Sequence, residues 1–494
     1  MLLRATNQPR NVPAEQGPPG CSPGVQHSLT HRSQRSHSVR GATGHGARRG
    51  EDLMSIRIGR RQALPACLAA ALVGGAVAIA LPTTALAGGN GHGHGHARNV
   101  IFINGDGMAA AHREAARLAL AGYDGDLTMD SLPVTGLQTT DPRDPDDAIT
   151  DSAAAATAWA TGQKTYNGAI SVDVDGNPLL TLGAEAEAAG KATGIVTTAQ
   201  VTDASPAAFF STTPDRGLED QIAEQYLEVT KPEVILGGGE DWWLPAGNEG
   251  VYPPRTAAEQ GSETDPEVSR STRGDLIAEA EGLGYQYVTD AASLAAADGD
   301  QLLGLFSNEE MFQQRPEGEG DEYAPVVPLA DMTSKALDTL STDRDGFFLL
   351  VEEEAVDEMS HANNATQMLR AMAALDDAVQ VARDYVAEHP DTLLVVTGDH
   401  ECGGLTVEGV DDADESGPGG TLAGTPAVED QISGEDGPFA VAGSDQRFVL
   451  DWTTSGHTGV PTVVTAEGVG SDALVGYHPN THLHDVMHQV LFDR

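Results

Sequence analysis

The sequence predicts an α/β protein built in three layers, with a central, largely parallel β-sheet covered by helices on both faces. From about Arg98 onward, short apolar runs of strand length alternate with amphipathic helical segments, which is the pattern of strand–helix–strand units. The clearest helical segment repeats apolar residues at helical spacing: Met368, Met372, Leu375, Val379, Ala382 and Val386. Because ligands of such sheets gather at the C-terminal ends of the strands, the chemistry is expected along one edge.

The strands themselves are predicted from the apolar runs. The candidates are Asn99–Asn104, Thr193–Thr198, Glu233–Leu236, Leu302–Phe306, Gly346–Glu352, Thr392–Thr397, Phe439–Ala442 and Pro461–Thr465. Two stretches break the alternation. Residues 247–273 are rich in Pro, Glu, Ser and Thr and indicate a surface insertion, whereas residues 410–437 are rich in Gly, Asp and Glu and indicate a lid or an accessory subdomain.

A helix is predicted to begin at Ser152, where an Ala-rich run follows Thr150 and Asp151. The free N–H groups and the macrodipole of a helix N-terminus favour an anion, so a hydroxyl there is a candidate nucleophile. A lone serine before an alanine run more often only caps its helix. The candidate nucleophile therefore depends on metal-ligand residues elsewhere in the chain.

The N-terminal part of the chain predicts export. We expect residues 1–53 to be disordered or upstream of the true start, residues 54–87 to be a twin-arginine-like signal peptide, residues 88–97 to be a flexible Gly/His leader, and residues 98–494 to be the catalytic domain. His92, His94 and His96 in the leader are either a polar spacer or a weak metal-scavenging tail. Removal of residues 1–87, which contain Cys21 and Cys67, would leave Cys402 as the single cysteine and no intramolecular disulfide.

The formal net charge is −46, and the acidity is concentrated after the Arg-rich leader. Such a charge repels nucleic acid and anionic membranes, so neither a nucleic-acid-binding surface nor a stable membrane anchor is expected. It suits a protein that works in concentrated salt, where charges are screened within a few ångströms. A halophilic source is the favoured interpretation, and an ordinary acidic secreted protein is the alternative.

Metal-ligand residues stand at the ends of the predicted strands. Asp106 follows the first strand, Glu352 ends another, and Asp399 with His400 follows a third. His457 lies in a loop just before the last predicted strand and can fold back onto the same edge. Clusters that mix Asp and His have the composition of a zinc site, whereas carboxylates alone suit Mg²⁺.

Several motifs together resemble the alkaline phosphatase family. They are Thr150–Ala154, Lys164–Ala169, Gly105–Met108, Thr397–His400 and His457–Gly459, and two further matches, Leu236–Gly239 and Leu302–Phe306, are structural. The resemblance runs from about Arg98 to the C-terminus in the family's motif order. It implies a small phosphate monoester as substrate and a phosphoserine intermediate, and it is the sole basis for expecting a homodimer.

The resemblance also implies site residues. Ser152 would be the nucleophile and Arg216 the phosphate-gripping guanidinium. One zinc ion would be held by Asp106, Asp399 and His400, a second by Asp357, His361 and His457, and a magnesium ion by Asp106, Asp203, Ser205 and Glu352. One residue departs from the family: Glu358 stands where many members carry Lys, His or Trp, and an acid beside bound phosphate is electrostatically unfavourable.

Two other functions stay open at this point. A phosphodiesterase or sulfatase on the same superfamily fold would use a related metal site, and Arg216 with three metal sites favours the monoesterase. A non-catalytic metal-binding surface protein would have lost the nucleophile, and Ser152 is present.

The charge generates the first prediction. Self-repulsion should destabilise the fold at low ionic strength, so the melting temperature of the mature protein should rise as NaCl increases from about 0.1 M to molar levels. Calorimetric scans at fixed pH and fixed metal concentration measure this. A melting temperature that stays flat across that range would contradict the halophilic interpretation.

Overall fold

The computed structural model describes residues 99–252, 268–312, 323–410 and 434–493. The predicted signal and leader, and most of the two predicted insertions, lie outside the described residues. The strands are β1 Asn99–Gly105, β2 Val134–Thr139, β3 Ala192–Gln200, β4 Val234–Gly238, β5 Gln286–Val288, β6 Leu302–Leu305, β7 Phe347–Glu353, β8 Thr392–Thr397, β9 Glu401–Cys402, β10 Leu405–Gly409, β11 Gly434–Ala440, β12 Arg447–Trp452, β13 His457–Thr458, β14 Thr462–Gly468 and β15 Gly476–Pro479.

The helices surround the sheet that most of these strands form. They are α1 Ala110–Ala116, α2 Ser152–Thr161, α3 Leu182–Ala188, α4 Ala204–Phe210, α5 Glu219–Gln225, α6 Glu240–Trp243, α7 Leu276–Leu283, α8 Ala291–Ala296, α9 Leu329–Leu340, α10 Ala355–His361, α11 Ala365–Glu388 and α12 Thr481–Phe492. Helices α1 and α5 each continue into a π-type turn, at Arg117–Ala121 and Tyr226–Thr230. Within the described ranges, no helix is both long and apolar enough to span a membrane.

In the described part of the chain the central sheet has ten strands in the order β15-β2-β14-β8-β1-β7-β3-β4-β6-β5. Strand β14 runs antiparallel to both of its neighbours, β8 and β2, and the other pairings are parallel. Strand β1 lies between β7 and β8, in the middle of the parallel part. Because β14 is antiparallel, its beginning lies at the edge where the parallel strands end.

Both faces of the sheet are buried, which confirms the predicted three-layer architecture. Along β1, Ile101 and Ile103 belong to one hydrophobic cluster, and Val100 and Phe102 belong to the other. Strands β7 and β8 divide their side chains in the same way. Helices α9, α10 and α11 cover the first face, and α2, α3, α4 and α12 cover the second. Strands buried on both faces read as continuous apolar runs, which is why the sequence revealed them.

The predicted amphipathic helix is α11, and each of the six apolar residues named for it is buried. The predicted strand Phe439–Ala442 differs from the structure. It overlaps the end of β11, which pairs with β12 in a separate three-stranded antiparallel sheet of β10, β12 and β11. Among the strands of the central sheet, the sequence analysis missed β2, β5 and β15. Strand β2 alternates buried and exposed residues, β5 has three residues, and β15 is largely exposed, so none forms an apolar run.

A buried glutamine ties the central sheet to the helix that begins at Ser152. Gln138 on β2 is fully buried, and its Oε1 accepts a hydrogen bond from Trp159 Nε1 on α2 at 3.0 Å. Its Nε2 faces Thr397 Oγ1, Thr462 Oγ1 and the Gly398 carbonyl at 2.9–3.0 Å. One side chain therefore links β2, β8, β14 and α2 immediately beside Asp399.

Replacing this side chain without changing its bulk tests the link. Gln138→Met should lower the free energy of unfolding by about 2–4 kcal/mol, because it leaves the buried indole N–H of Trp159 without its partner and removes the Nε2 contacts to Thr397, Thr462 and Gly398. Urea unfolding at fixed salt and metal concentration measures the loss. Leu137→Thr on the same strand is the control, since Leu137 is 41% exposed, and should change stability by less than about 0.5 kcal/mol. Equal stability of the two variants would contradict this account.

Candidate active site

The C-terminal ends of β1, β7 and β8 bring the predicted ligand residues to one edge of the sheet. The chain turns sharply after β1, at Gly107, which has φ +68°. A Cβ atom at Gly107 would lie 2.4 Å from Asp357 Oδ1. Only glycine therefore lets the turn that carries Asp106 pass so close to Asp357 on α10.

Ser152 is the first residue of α2, as predicted, and is 5% exposed. Asp151 caps the helix: its Oδ1 accepts from the Ala154 amide at 2.9 Å, and its Oδ2 accepts from the Gly168 amide at 2.7 Å. The helix buries every residue from end to end, so alanines pack it closely against the sheet. The hydroxyl of Ser152 is thus held at the positive end of a rigid helix.

The first cluster of ligand residues surrounds His400 Nε2. Asp399 Oδ2 lies 3.0 Å from this nitrogen, Ser152 Oγ 3.3 Å and Asp106 Oδ1 3.5 Å. Asp399 Oδ2 and Asp106 Oδ1 are buried and have no hydrogen-bond partner among the described residues. These two carboxylate oxygens and His400 Nε2 face one another, and the oxygens lack hydrogen-bond partners among the described residues. Such an arrangement is that of ligands of a shared cation.

This geometry is not that of a Ser–His–Asp triad. In a triad the carboxylate orients the imidazole through Nδ1, the ring nitrogen remote from the serine. Here Asp399 and Ser152 face the same nitrogen of His400. In the described part of the chain, His400 Nδ1 has no hydrogen-bond partner, and Asp357 Oδ1 lies 3.8 Å from it. His400 is therefore placed to bind a cation and not to act as a general base.

The second cluster consists of Asp357, His361 and His457. His361 Nε2 lies 3.0 Å from both Asp357 Oδ2 and His457 Nε2, and His457 Nε2 lies 3.6 Å from Asp357 Oδ2. Ligand atoms about 2.0–2.1 Å from a tetrahedral zinc ion lie roughly 3.3 Å from one another. Burial alone would raise the pKa of Asp357, but the two histidines hold it well below its usual value. The three side chains fit one zinc ion.

Backbone carbonyls orient both histidines of this cluster. His361 Nδ1 lies 2.6 Å from the Ser455 carbonyl, and His457 Nδ1 lies 2.9 Å from the Thr150 carbonyl. Since a carbonyl only accepts, each Nδ1 donates and each Nε2 points into the cluster. The loop that carries His457 does fold back onto this edge, because β13 pairs with β9 and places His457 opposite Cys402.

The third cluster contains carboxylates and one hydroxyl. Oxygen atoms of Asp106, Glu352 and Glu354 lie within 4.8 Å of one another, and all three side chains are buried. Ser205 Oγ lies 3.5 Å from Asp106 Oδ2. Asp106 thus belongs to the first and third clusters at once. An oxygen-only set fits Mg²⁺ or another hard cation.

Asp203 lies outside that third set of carboxylates. Its Oδ1 accepts a hydrogen bond from Arg216 Nη2 at 2.7 Å, and Arg216 Nη1 lies 3.7 Å from Asp151 Oδ2. Two carboxylates therefore fix the guanidinium beside the start of α2, next to Ser152. Burial would lower the pKa of Arg216, but Asp203 and Asp151 raise it well above its usual value. The cation is permanent at this position.

Crowding of acids dominates the electrostatics of the edge. Burial, followed by the charges of Asp399 and Asp357, raises the pKa of Asp106 well above its usual value. Burial and the charge of Asp203 raise the pKa of Glu352 to about 7. Carboxylates in such surroundings are stabilised as anions when cations bind between them.

Sequence reasoning missed two residues of this site. Glu354 belongs to the third cluster, although it lies just beyond β7, at the residue that precedes α10, where strand alternation gives no signal. Cys402 is a fully buried thiol beside the second cluster. Burial and the charge of Asp357 raise its pKa well above the usual value.

Glu358, the residue that departs from the family pattern, is half-buried. Burial and then the charge of Asp357 raise the pKa of Glu358 to about 7. The charges of Asp357 and His361, two residues of the second cluster, act on it. Because the sequence is acidic throughout, it does not show whether the side chain of Glu358 faces the site or the solvent.

Fold and site together define a class: an α/β protein whose strand ends carry carboxylate and imidazole clusters that could hold metal ions. The family model for alkaline phosphatase matches residues 97–419, which is more than half of the chain. The chain belongs to the alkaline phosphatase family and is a phosphoric monoester hydrolase.

Individual relatives agree with this assignment. Streptomycin-6-phosphate phosphatase of Streptomyces griseus is 35% identical over 432 residues, which cover 78% of this chain and 89% of the relative. The cold-active alkaline phosphatase of the psychrophile Shewanella sp. is similar in structure, with a TM-score of 0.62, 29% identity, and coverage of 80% of this chain and 100% of that chain. A variant of the alkaline phosphatase from the Antarctic bacterium TAB5, with Mg bound in its M3 site, has a TM-score of 0.60 at 25% identity and covers 80% of this chain and 98% of its own.

Proposed function

We propose that this protein is an exported alkaline phosphatase that hydrolyses small phosphate monoesters through a phosphoserine intermediate, with two zinc ions and one magnesium ion. One observation carries the proposal: Ser152 Oγ lies 3.3 Å from His400 Nε2, at the point where unpartnered carboxylate oxygens converge. A hydroxyl in that position is a nucleophile adjoining a cation site and is more than a helix cap.

The metal assignment follows the chemistry of the three donor sets. Asp106, Asp399 and His400 would hold one zinc ion, and Asp357, His361 and His457 would hold the second. The third set, with Asp106, Glu352 and the Ser205 hydroxyl, would hold magnesium. The bound Mg in the M3 site of the TAB5 relative supports a third site in this family. When bound, the zinc ions supply Lewis acidity that lowers the pKa of a hydroxyl and stabilises a leaving oxygen.

The residues of the chain perform the rest of the reaction. The Ser152 hydroxyl gives up its proton to solvent as Oγ attacks phosphorus in line, so that the Oγ–P bond forms while the bond from phosphorus to the alcohol oxygen breaks. The alcohol departs with a proton from solvent. Water then attacks the phosphoserine, which releases inorganic phosphate and restores the hydroxyl. The N-terminal amides of α2 favour the charge that develops on Ser152.

Arg216 is the proposed grip on phosphate. Its guanidinium is fixed by Asp203 and Asp151 next to Ser152, and a planar fork of donors suits two non-bridging oxygens at once. Asp203 is also proposed to help hold the third cation. Its Oδ2 is buried and has no hydrogen-bond partner among the described residues.

Export and assembly complete the proposal. Export rests on the signal-like segment at residues 54–87, and high salt as the working medium rests on the net charge of −46. A homodimer is proposed on the family resemblance alone. The residues of the three described ligand clusters all come from one chain.

The nucleophile generates a direct prediction. Ser152→Ala should abolish phosphoenzyme formation and lower kcat by about a thousandfold or more, with slow residual hydrolysis from the metals. Acid quenching after exposure to ³²P-labelled substrate measures the phosphoenzyme. Thr161→Ala is the control, because it removes a hydroxyl from the other end of the same helix, and should keep the label. A labelled Ser152→Ala protein would remove Ser152 from the mechanism.

The division of the zinc ligands into two clusters generates a prediction about zinc content. His457→Ala should lower the zinc content from two ions to one per chain, because it removes a ligand from the second cluster and none from the first. Elemental analysis measures this after dialysis against a trace of zinc. His389→Ala, at the end of α11 and close to the start of β8, is the matched control and should keep two. Loss of neither ion from His457→Ala, or loss of both, would contradict the division into two zinc clusters.

A further inference from the structure

The geometry points to Glu354 as a direct ligand of the divalent cation at the third cluster, which becomes a cage of three carboxylates selective for hard cations. The inference rests on the proposed function for the existence of a third cation site, and it adds a ligand that the family resemblance does not supply. A buried carboxylate oxygen with nothing to bind is its starting point.

The backbone of Glu354 is fixed while its side chain is not hydrogen-bonded. The amide of Glu354 donates to Thr198 Oγ1 at 3.0 Å, and its carbonyl accepts from the Asp357 amide at 2.9 Å. The residue is only 6% exposed, and Oε2 has no hydrogen-bond partner in the part of the chain that the structure describes. The fold therefore holds a carboxylate in the interior for a partner that is not a hydrogen-bond donor of the chain.

The carboxylates around it identify that partner. Oxygen atoms of Glu354, Glu352 and Asp106 lie within 4.8 Å of one another. Three buried anions at such distances repel one another strongly, and Arg216 already pairs with Asp203 and Asp151. A divalent cation between the three oxygens offsets the repulsion and satisfies the unpartnered ones.

The neighbouring residue shows what a structural carboxylate looks like at the same depth. Glu353 is as deeply buried as Glu354, but its Oε1 accepts from Thr198 Oγ1 and the Ala355 amide, and its Oε2 accepts from Tyr323 at 2.5 Å. Glu353 is fully satisfied by the chain, whereas Glu354 is not. The contrast separates a ligand from a buried acid of the core.

Mg²⁺ takes oxygen ligands in an octahedral shell and usually keeps several waters. Three carboxylates and the Ser205 hydroxyl would leave room for fewer waters than a two-carboxylate site. A net negative cage also holds a divalent ion against competing Na⁺, which matters for a chain that we propose works in concentrated salt.

The test measures Mg²⁺ affinity. Protein freed of metal and reloaded with zinc is dialysed against graded Mg²⁺ in molar NaCl, and the bound ion is counted. Glu354→Gln keeps the shape and removes the charge, and it should weaken Mg²⁺ binding about ten- to a hundredfold while the zinc content stays unchanged. Glu354→Asp, which retracts the carboxylate, should have an Mg²⁺ affinity between those of the parent and of Glu354→Gln. Glu353→Gln is the matched control and should bind Mg²⁺ within about twofold of the parent, an uncertainty typical of such comparisons.

A second readout distinguishes a ligand from a nearby charge. With Mn²⁺ in the third site, water-proton relaxation counts the waters on the ion. Glu354→Ala should gain one coordinated water if Glu354 is a ligand, and none if it acts only through the field. This measurement on the folded parent and one variant remains decisive if Glu354→Gln folds poorly.

Three outcomes overturn the inference. Mg²⁺ affinity in Glu354→Gln that equals the parent's would do so, as would an unchanged water count in Glu354→Ala. If Glu354→Gln changed inhibition by inorganic phosphate but not Mg²⁺ affinity, Glu354 would act on the phosphate grip of Arg216 and not on the cation. The phosphoserine assay on the parent protein stands apart: a parent that forms no phosphoserine refutes the proposed function, whereas one that forms it with a failed Mg²⁺ test refutes only the role of Glu354.

Discussion

The carboxylate of Asp106 is the constraint on which the rest of the site depends. It is completely buried at the end of the central strand and belongs to two clusters of ligand atoms. A buried anion is tolerated only when opposite charge and hydrogen bonds compensate for the lost water. The chain supplies a weak contact from Ser205 and an imidazole, so metal ions are the natural compensation. A cation bound at this residue would therefore stabilise the fold.

The sheet topology explains how so many ligands reach one point. Parallel strands all end at the same edge, and β1, β7 and β8 are neighbours there. Reversing β14 brings its preceding loop, with His457, to that edge as well. Gln138 then joins the ends of β8 and β14 to α2, so Ser152 and the candidate ligand residues stand on elements that one side chain connects. Rigid elements hold catalytic groups more accurately than loops do.

Much of this was predictable, and the limits are physical. Strands buried on both faces, such as β1 and β7, leave continuous apolar runs in the sequence. Edge strands such as β15 do not, because one face meets solvent. Motifs with fixed spacing placed Ser152 at the start of a helix and Asp106, Asp399 and His400 just after strands, which is where they lie. Contacts that join distant segments were out of reach: the orientation of His457 by the Thr150 carbonyl, and the pairing of Arg216 with both Asp151 and Asp203, follow from the tertiary fold alone.

The acidic run after β7 shows why composition cannot assign roles to acids. Glu352 accepts from Asn104 and Thr197 and faces the third cluster. Glu353 points to the opposite side of the sheet and is held by Thr198 and Tyr323. Glu354 is buried without such partners. On a chain whose acids are mostly solvated, three consecutive glutamates thus have three different environments. What distinguishes them is whether donors of the chain already satisfy the carboxylate, and a buried acid that they leave unsatisfied is the one that needs a cation.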